Sequence, residues 1–152
     1  MKRLFTLALA VSALAFLADT AGAQEEKEVA AGHEGMHGEM MTAPPGGAFQ
    51  PVSELVELPD FLPGIGTLYV DPATLPAGPF LAYDRDGKLV SSVYMIPLSS
   101  MNEQLNFNGL DVAQAEADHV DIYYNAGHPG VAEPHYHFVV WYVSSETAAA
   151  LK

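Results

Sequence analysis

The chain has 152 residues and no cysteine, with six basic against nineteen acidic side chains, a formal net charge of −13 with histidines neutral. The lack of cysteine excludes disulfides and a lipid-modified cysteine behind a signal, so stability must come from packing, helped by a metal or by oligomerisation. So acidic a surface disfavours nucleic acid and anionic membranes, which need Lys and Arg to neutralise phosphate, and it attracts cations.

Residues 1–23 read as a secretory signal peptide. Met1-Lys2-Arg3 is the charged start, Leu4 to Leu17 the apolar run, and Ala21-Gly22-Ala23 the small-residue cleavage site. The run is too short and wrongly flanked for a membrane span, and no later run is apolar enough to be one. Cleavage after Ala23 would remove Lys2, Arg3 and Asp19 and leave four basic against eighteen acidic side chains. The expected location is secreted or periplasmic.

Residues 24–48 read as a flexible leader, rich in Glu, Gly, Met and His and ending in Pro44-Pro45-Gly46-Gly47. His33-Glu34-Gly35-Met36-His37 satisfies the zinc-protease pattern H-E-x-x-H, but glycines at 32, 35 and 38 oppose the helix on which that pattern works. His33, Met36, His37, Met40 and Met41 together make a soft-donor tract suited to copper, Cu(I) above all. The plainer alternative is a solvated linker in which these residues are incidental.

Residues 49–152 read as one β-rich domain. Pro51 to Leu58 is an edge strand or a turn of helix, and Thr67-Leu68-Tyr69-Val70 a short strand. Phe80 to Tyr83 and Leu89 to Ile96 form a hairpin around Asp84-Arg85-Asp86-Gly87, because Asp-Gly between apolar runs favours a tight turn. Ser100 and Glu103 have the spacing of a capping box and predict a short helix through Leu105. Val112 to Ala117 reads as one more helical turn, and Ser144 caps a last helix over Thr147 to Leu151. Short strands, Pro/Gly loops and little helix predict a mainly β fold, a sandwich or small barrel of antiparallel strands with one or two short helices.

The chemistry concentrates between His119 and Val143, which reads as a hairpin with a Gly/Pro loop and holds four of the six histidines. Strand alternation puts His119, Asp121 and Tyr123 on one side of the first run, and His135 and His137 with Val139 and Trp141 on one side of the second. Antiparallel pairing is expected to bring the polar strand ends together under His128. Two neutral imidazoles at i and i+2 can share a cation, and zinc, copper and iron accept such nitrogen donors with a third ligand. The candidate ligands are therefore His135, His137, His128, His119 and Asp121, with Glu133 also in range. Tyr123, Tyr124, Tyr136, Trp141 and Tyr142 read as packing residues. No nucleophile elbow or phosphate loop is present.

The stretch from His119 through Gly127-His128-Pro129 to Pro134-His135-Tyr136 resembles an uncharacterised family of secreted bacterial proteins represented in the genus Thermus. That family carries a GH…PH-aromatic-D-aromatic-H signature behind a His-containing strand. His119, Gly127, His128, Pro134 and His135 match it, whereas His137 stands at the family's acidic position and Val139 at its next histidine. The resemblance implies a β-rich secreted domain, homo-oligomeric in one reading, of unknown activity. A weaker resemblance is to cupins: Gly130 and His135-Tyr136-His137 look like half of a cupin metal motif, but Val140 and Trp141 occupy the places of its glutamate. The sequence thus points to a non-catalytic secreted protein holding zinc or copper. A cupin-like metalloenzyme and a structural homo-oligomeric envelope protein are the alternatives.

Overall fold

The computed structural model describes residues 40–152. The expected signal peptide and most of the leader, with His33, Met36 and His37, lie outside the described residues. Six strands form one antiparallel sheet: β1 (Gln50–Pro51), β2 (Thr67–Val70), β3 (Phe80–Tyr83), β4 (Leu89–Pro97), β5 (His119–Asn125) and β6 (His135–Trp141), in the spatial order β1-β2-β3-β4-β6-β5. Three short helices accompany it: α1 (Val52–Leu55), α2 (Leu98–Asn102) and α3 (Ser145–Ala149). The mainly β character and the antiparallel pairing are as expected. The layering differs from a sandwich, because the strands make a single sheet whose covering layers are helices and loops. Among the described residues no helix is long and apolar enough to cross a membrane.

β4 is buried along its whole length, because both faces of the sheet are covered there. One face carries Val70, Phe80, Val93, Met95, Val139 and Trp141, packed under Val52, Val56, Ala148 and Leu151. The other carries Leu81, Tyr83 and Leu89 with Met40 and Ala113. β6 shows the period of two directly: His135, His137, Val139 and Trp141 are buried, and the residues between them are half-buried.

The hairpin turn predicted at Asp84 is present. The Asp84 carboxylate accepts from the backbone N–H of Asp86 and Lys88 at 3.0 and 2.8 Å, and Gly87 takes the positive φ of +76° that the turn needs. Ser144 caps α3 as expected, accepting from the Thr147 N–H at 3.3 Å. α2 begins at Leu98, immediately behind Pro97, so Ser100 lies inside it and Glu103 becomes its C-cap rather than the far side of a capping box. Proline at the cap fixes the backbone for helix entry and overrides the signal at Ser100. Residues 112–117 form no helix.

The leader ends earlier than expected. Met40 is 4% exposed, its carbonyl accepts from the Tyr83 hydroxyl at 2.8 Å, and the Met41 carbonyl accepts from the Leu89 N–H at 3.1 Å. Burial of an apolar thioether against Leu81, Tyr83 and Leu89 outweighs the polar composition around it. Met40 and Met41 therefore pack with the domain, and the Met40 thioether is buried rather than part of a solvated tract.

One buried group is out of keeping with this core. Ser91 is fully buried on β4, and its hydroxyl has no partner among the described residues. An unsatisfied buried hydroxyl costs about 1–3 kcal/mol, more than the small void left by deleting it. Ser91→Ala is expected to stabilise the mature chain by about 1 kcal/mol and to raise Tm by a few degrees; a fall in Tm in differential scanning calorimetry would contradict this account.

Candidate metal centre

β6 lies between β4 and β5, and its register settles which side chains meet. His135 is opposite Pro97 and Asn125, His137 opposite Met95 and Tyr123, and Trp141 opposite Ser91 and His119. The loop between β5 and β6 turns back through His128, whose N–H and carbonyl pair with the carbonyl and N–H of Val131, each at 2.9 Å. Glycines frame this turn. Gly127 adopts φ +120°, and a Cβ there would meet the Ala132 carbonyl oxygen at 2.6 Å; Gly130 adopts φ +87°, and a Cβ there would meet Val56 at 2.8 Å. Only glycine lets the turn close this tightly, and the closure sets His128 over β6.

Ring nitrogens of His128, His135 and His137 all lie within 4.8 Å of one another. The rings of His135 and His137 have centroids 4.8 Å apart, and His128 stands edge-on to both at 4.9 and 5.6 Å. His135 and His137 are buried, and His128 is half-buried. This group is able to hold a metal ion.

The hydrogen bonds assign the tautomers. His135 Nδ1 lies 2.6 Å from the Glu133 carbonyl, which can only accept, so Nδ1 carries the proton and Nε2 a lone pair. His135 Nε2 is 2.8 Å from His137 Nε2, which must then be the donor. That leaves His137 Nδ1 to accept from the Tyr123 hydroxyl at 3.0 Å. His128 Nδ1 donates to the Pro129 carbonyl at 2.9 Å, which frees its Nε2. Each ring thus has its outer nitrogen fixed by a protein oxygen, the arrangement that orients imidazoles toward a metal. Burial, then the neighbouring His135 and His128, push the His137 pKa down to about 4, so this ring is neutral at physiological pH, as a ligand must be. Burial, and secondarily the Asp121 carboxylate, hold the Tyr123 hydroxyl above its ordinary value, so it remains a proton donor.

Two expected ligands lie elsewhere. His119 pairs across β6 with Trp141, four residues or ~13 Å along the strands from the position opposite His137. An antiparallel hairpin joins the end of the first strand to the start of the second, so the His119 end is the one farthest from the loop. There His119 contacts the Asp118 carboxylate at 2.8 Å and stacks on Trp141 with centroids 5.9 Å apart. Asp121 accepts from Trp141 Nε1 at 2.9 Å. Glu133 takes the Ser99 N–H at 3.2 Å and contributes only its carbonyl to the histidines. Tyr123, read from the sequence as packing, is the residue missed; its place on the same strand face as Asp121 was the available signal.

The histidines also border a cavity of about 610 Å³ over the buried face of the sheet, into which His128 and His137 look together with Tyr123, Asn125 and Asp121. Apart from Ser91, the rest of its wall is apolar, from α1 and the segment following it to Val70, Phe80 and Trp141. The class defined by these features is a single-sheet β protein with a three-histidine group, two members of which line an apolar cavity.

Comparison with known proteins places this class. The crystal structure of the hypothetical protein TTHB210 from Thermus thermophilus is similar over 62% of this chain and 86% of that one, with 46% sequence identity and a TM-score of 0.56. The chain belongs to the same family as that Thermus protein. No family model and no curated protein matches the chain.

The low pKa of His137 has a consequence for the metal-free protein. Between pH 6.5 and about 4 the unfolded chain protonates this histidine and the folded chain does not, so folding stability falls as pH is lowered through that window and is fully present above it. His137→Gln is expected to flatten the dependence. Chemical denaturation at pH 7.5, 5.5 and 4.5 in the presence of chelator measures it, and an unchanged slope in the variant would refute it.

Proposed function

We propose that His128, His135 and His137 hold one transition-metal ion, zinc or copper, in a secreted, non-catalytic binding protein. The observation that carries this reading is the convergence of three imidazoles whose outer nitrogens are each fixed by a protein oxygen. Neutral imidazole suits zinc and copper alike. Zinc–nitrogen bonds of about 2.0–2.1 Å at a tetrahedral centre put nitrogens about 3.3 Å apart. The 2.8 Å between His135 Nε2 and His137 Nε2 therefore opens by about 0.5 Å on loading. The His137 proton passes from Nε2 to Nδ1, where the Tyr123 oxygen accepts it, so loading needs no net deprotonation of the ring. Three protein ligands leave a fourth position for an exogenous ligand. The metalloenzyme alternative requires an open coordination position beside a pocket, which a three-histidine ion on this cavity would supply. Among the described residues Asp121 accepts from Trp141 and Glu133 accepts from Ser99 in the metal-free protein.

The mature chain, prepared without a His tag, is expected to bind one equivalent of zinc or copper by elemental analysis. His135→Ala/His137→Ala should abolish binding, and Tyr123→Phe should weaken it about tenfold, the lower end for a lost outer hydrogen bond. Full retention of metal by the double variant would reject the site.

A second reading, a structural homo-oligomer, draws on a different observation. β5 is an edge strand on which Val120, Ile122 and Tyr124 are 55, 57 and 52% exposed on one face. An exposed apolar edge is a ready pairing surface. If copies join there, Ile122→Lys shifts the mature chain to monomer in light-scattering chromatography, and an unchanged mass excludes that edge.

A further inference from the structure

We propose that the cavity beside the three histidines binds a medium-chain amphiphile with a single anionic oxygen head, its head on the histidine-held ion and its chain along the buried face of the sheet; this rests on the metal reading above. The volume of about 610 Å³ falls within the range of about 300–1,000 Å³ that small-molecule sites occupy. Its two ends differ in chemistry. At one end stand His128, His137, Tyr123 and Asn125; beyond them Leu68, Val70, Phe80, Val93, Val139 and Trp141 offer only apolar surface apart from Ser91 and Asp121.

Charge decides the head group. Three neutral imidazoles leave the charge of a divalent ion uncompensated, so an anionic oxygen is the favoured fourth ligand in an otherwise apolar setting. Among the described residues the only formally charged side chain lining the cavity is Asp121, and its carboxylate is turned to Trp141 Nε1 at 2.9 Å. That carboxylate stands opposite Val139, midway between His137 and Trp141, and is largely exposed beside His119, so it offers an anion no partner within the cavity. The histidine-held ion alone draws the head to the histidine end.

Length decides the body. His137 and Trp141 lie on the same face of β6, four residues apart, which is ~13 Å of wall and the extent of a chain of about ten carbons. Trp141 is the only tryptophan in the protein, so its fluorescence reports on the far end of the cavity alone.

The experiment uses the mature chain, with zinc binding measured independently by competition against a chromophoric chelator. Decanoate is titrated by calorimetry into metal-free and zinc-loaded protein, with decyltrimethylammonium as the cationic counterpart. Bromine quenching of Trp141 then gives the orientation. The expected result is at least tenfold tighter binding of decanoate to the zinc form, no such gain for the cation, and strong quenching by 10-bromodecanoate but weak quenching by 2-bromodecanoate. Stoichiometric zinc with decanoate affinity unchanged by the metal, or equal quenching by the two bromo isomers, overturns the amphiphile and leaves the metal site standing. Failure of zinc and copper to bind overturns both.

Discussion

Everything distinctive about this molecule depends on the register of β6 between β4 and β5. A slip of one residue would turn His135, His137, Val139 and Trp141 out of the buried face and bring Tyr136, Phe138 and Val140 into it. That inversion would break the chain of hydrogen bonds from Tyr123 through His137 and His135 to the Glu133 carbonyl. It would also replace Val139 and Trp141, on which the covering elements pack, by side chains of different shape. The two imidazoles are tolerated inside a hydrophobic face because each ring nitrogen is used, and the polar network in turn admits only one register.

The two sides of the sheet divide the work. One is filled by Leu81, Tyr83, Leu89 and the incoming Met40. The other is only partly filled: α1, α3 and the residues around Val56 cover it, and a cavity remains between them and the strands. The histidines sit where this cavity reaches the β5–β6 loop, so a polar site of small extent borders a large apolar space.

Much of this was legible in the residues. The Asp84 turn, the Ser144 cap and the His119 to Val143 hairpin follow from local chemistry, since a few neighbouring side chains suffice to favour them. The grouping of His135 with His137 followed from strand alternation. What could not be read locally was which residue faces which. His119 shares a face with the other histidines, yet the hairpin register carries it to the opposite end, onto Trp141 and Asp118. The burial of Met40 was hidden for a similar reason, because a methionine in a polar stretch reveals nothing until Tyr83 and Leu89 arrive from elsewhere in the chain. The cavity was hidden too. Its roof, residues 52–65, has scattered apolar side chains without a period, and their common destination is tertiary.

The contact between Gly130 and Val56 joins features that would otherwise look independent. Gly130 belongs to the turn that carries His128, and Val56 to the roof of the cavity; no side chain fits between them. The turn that carries His128 and the roof of the cavity are therefore in direct contact. A bulkier residue at position 56, remote from any nitrogen, would lift the turn and draw His128 away from its two partners. Space at position 56 and at position 130 is therefore shared, and bulk added to one is taken from the other.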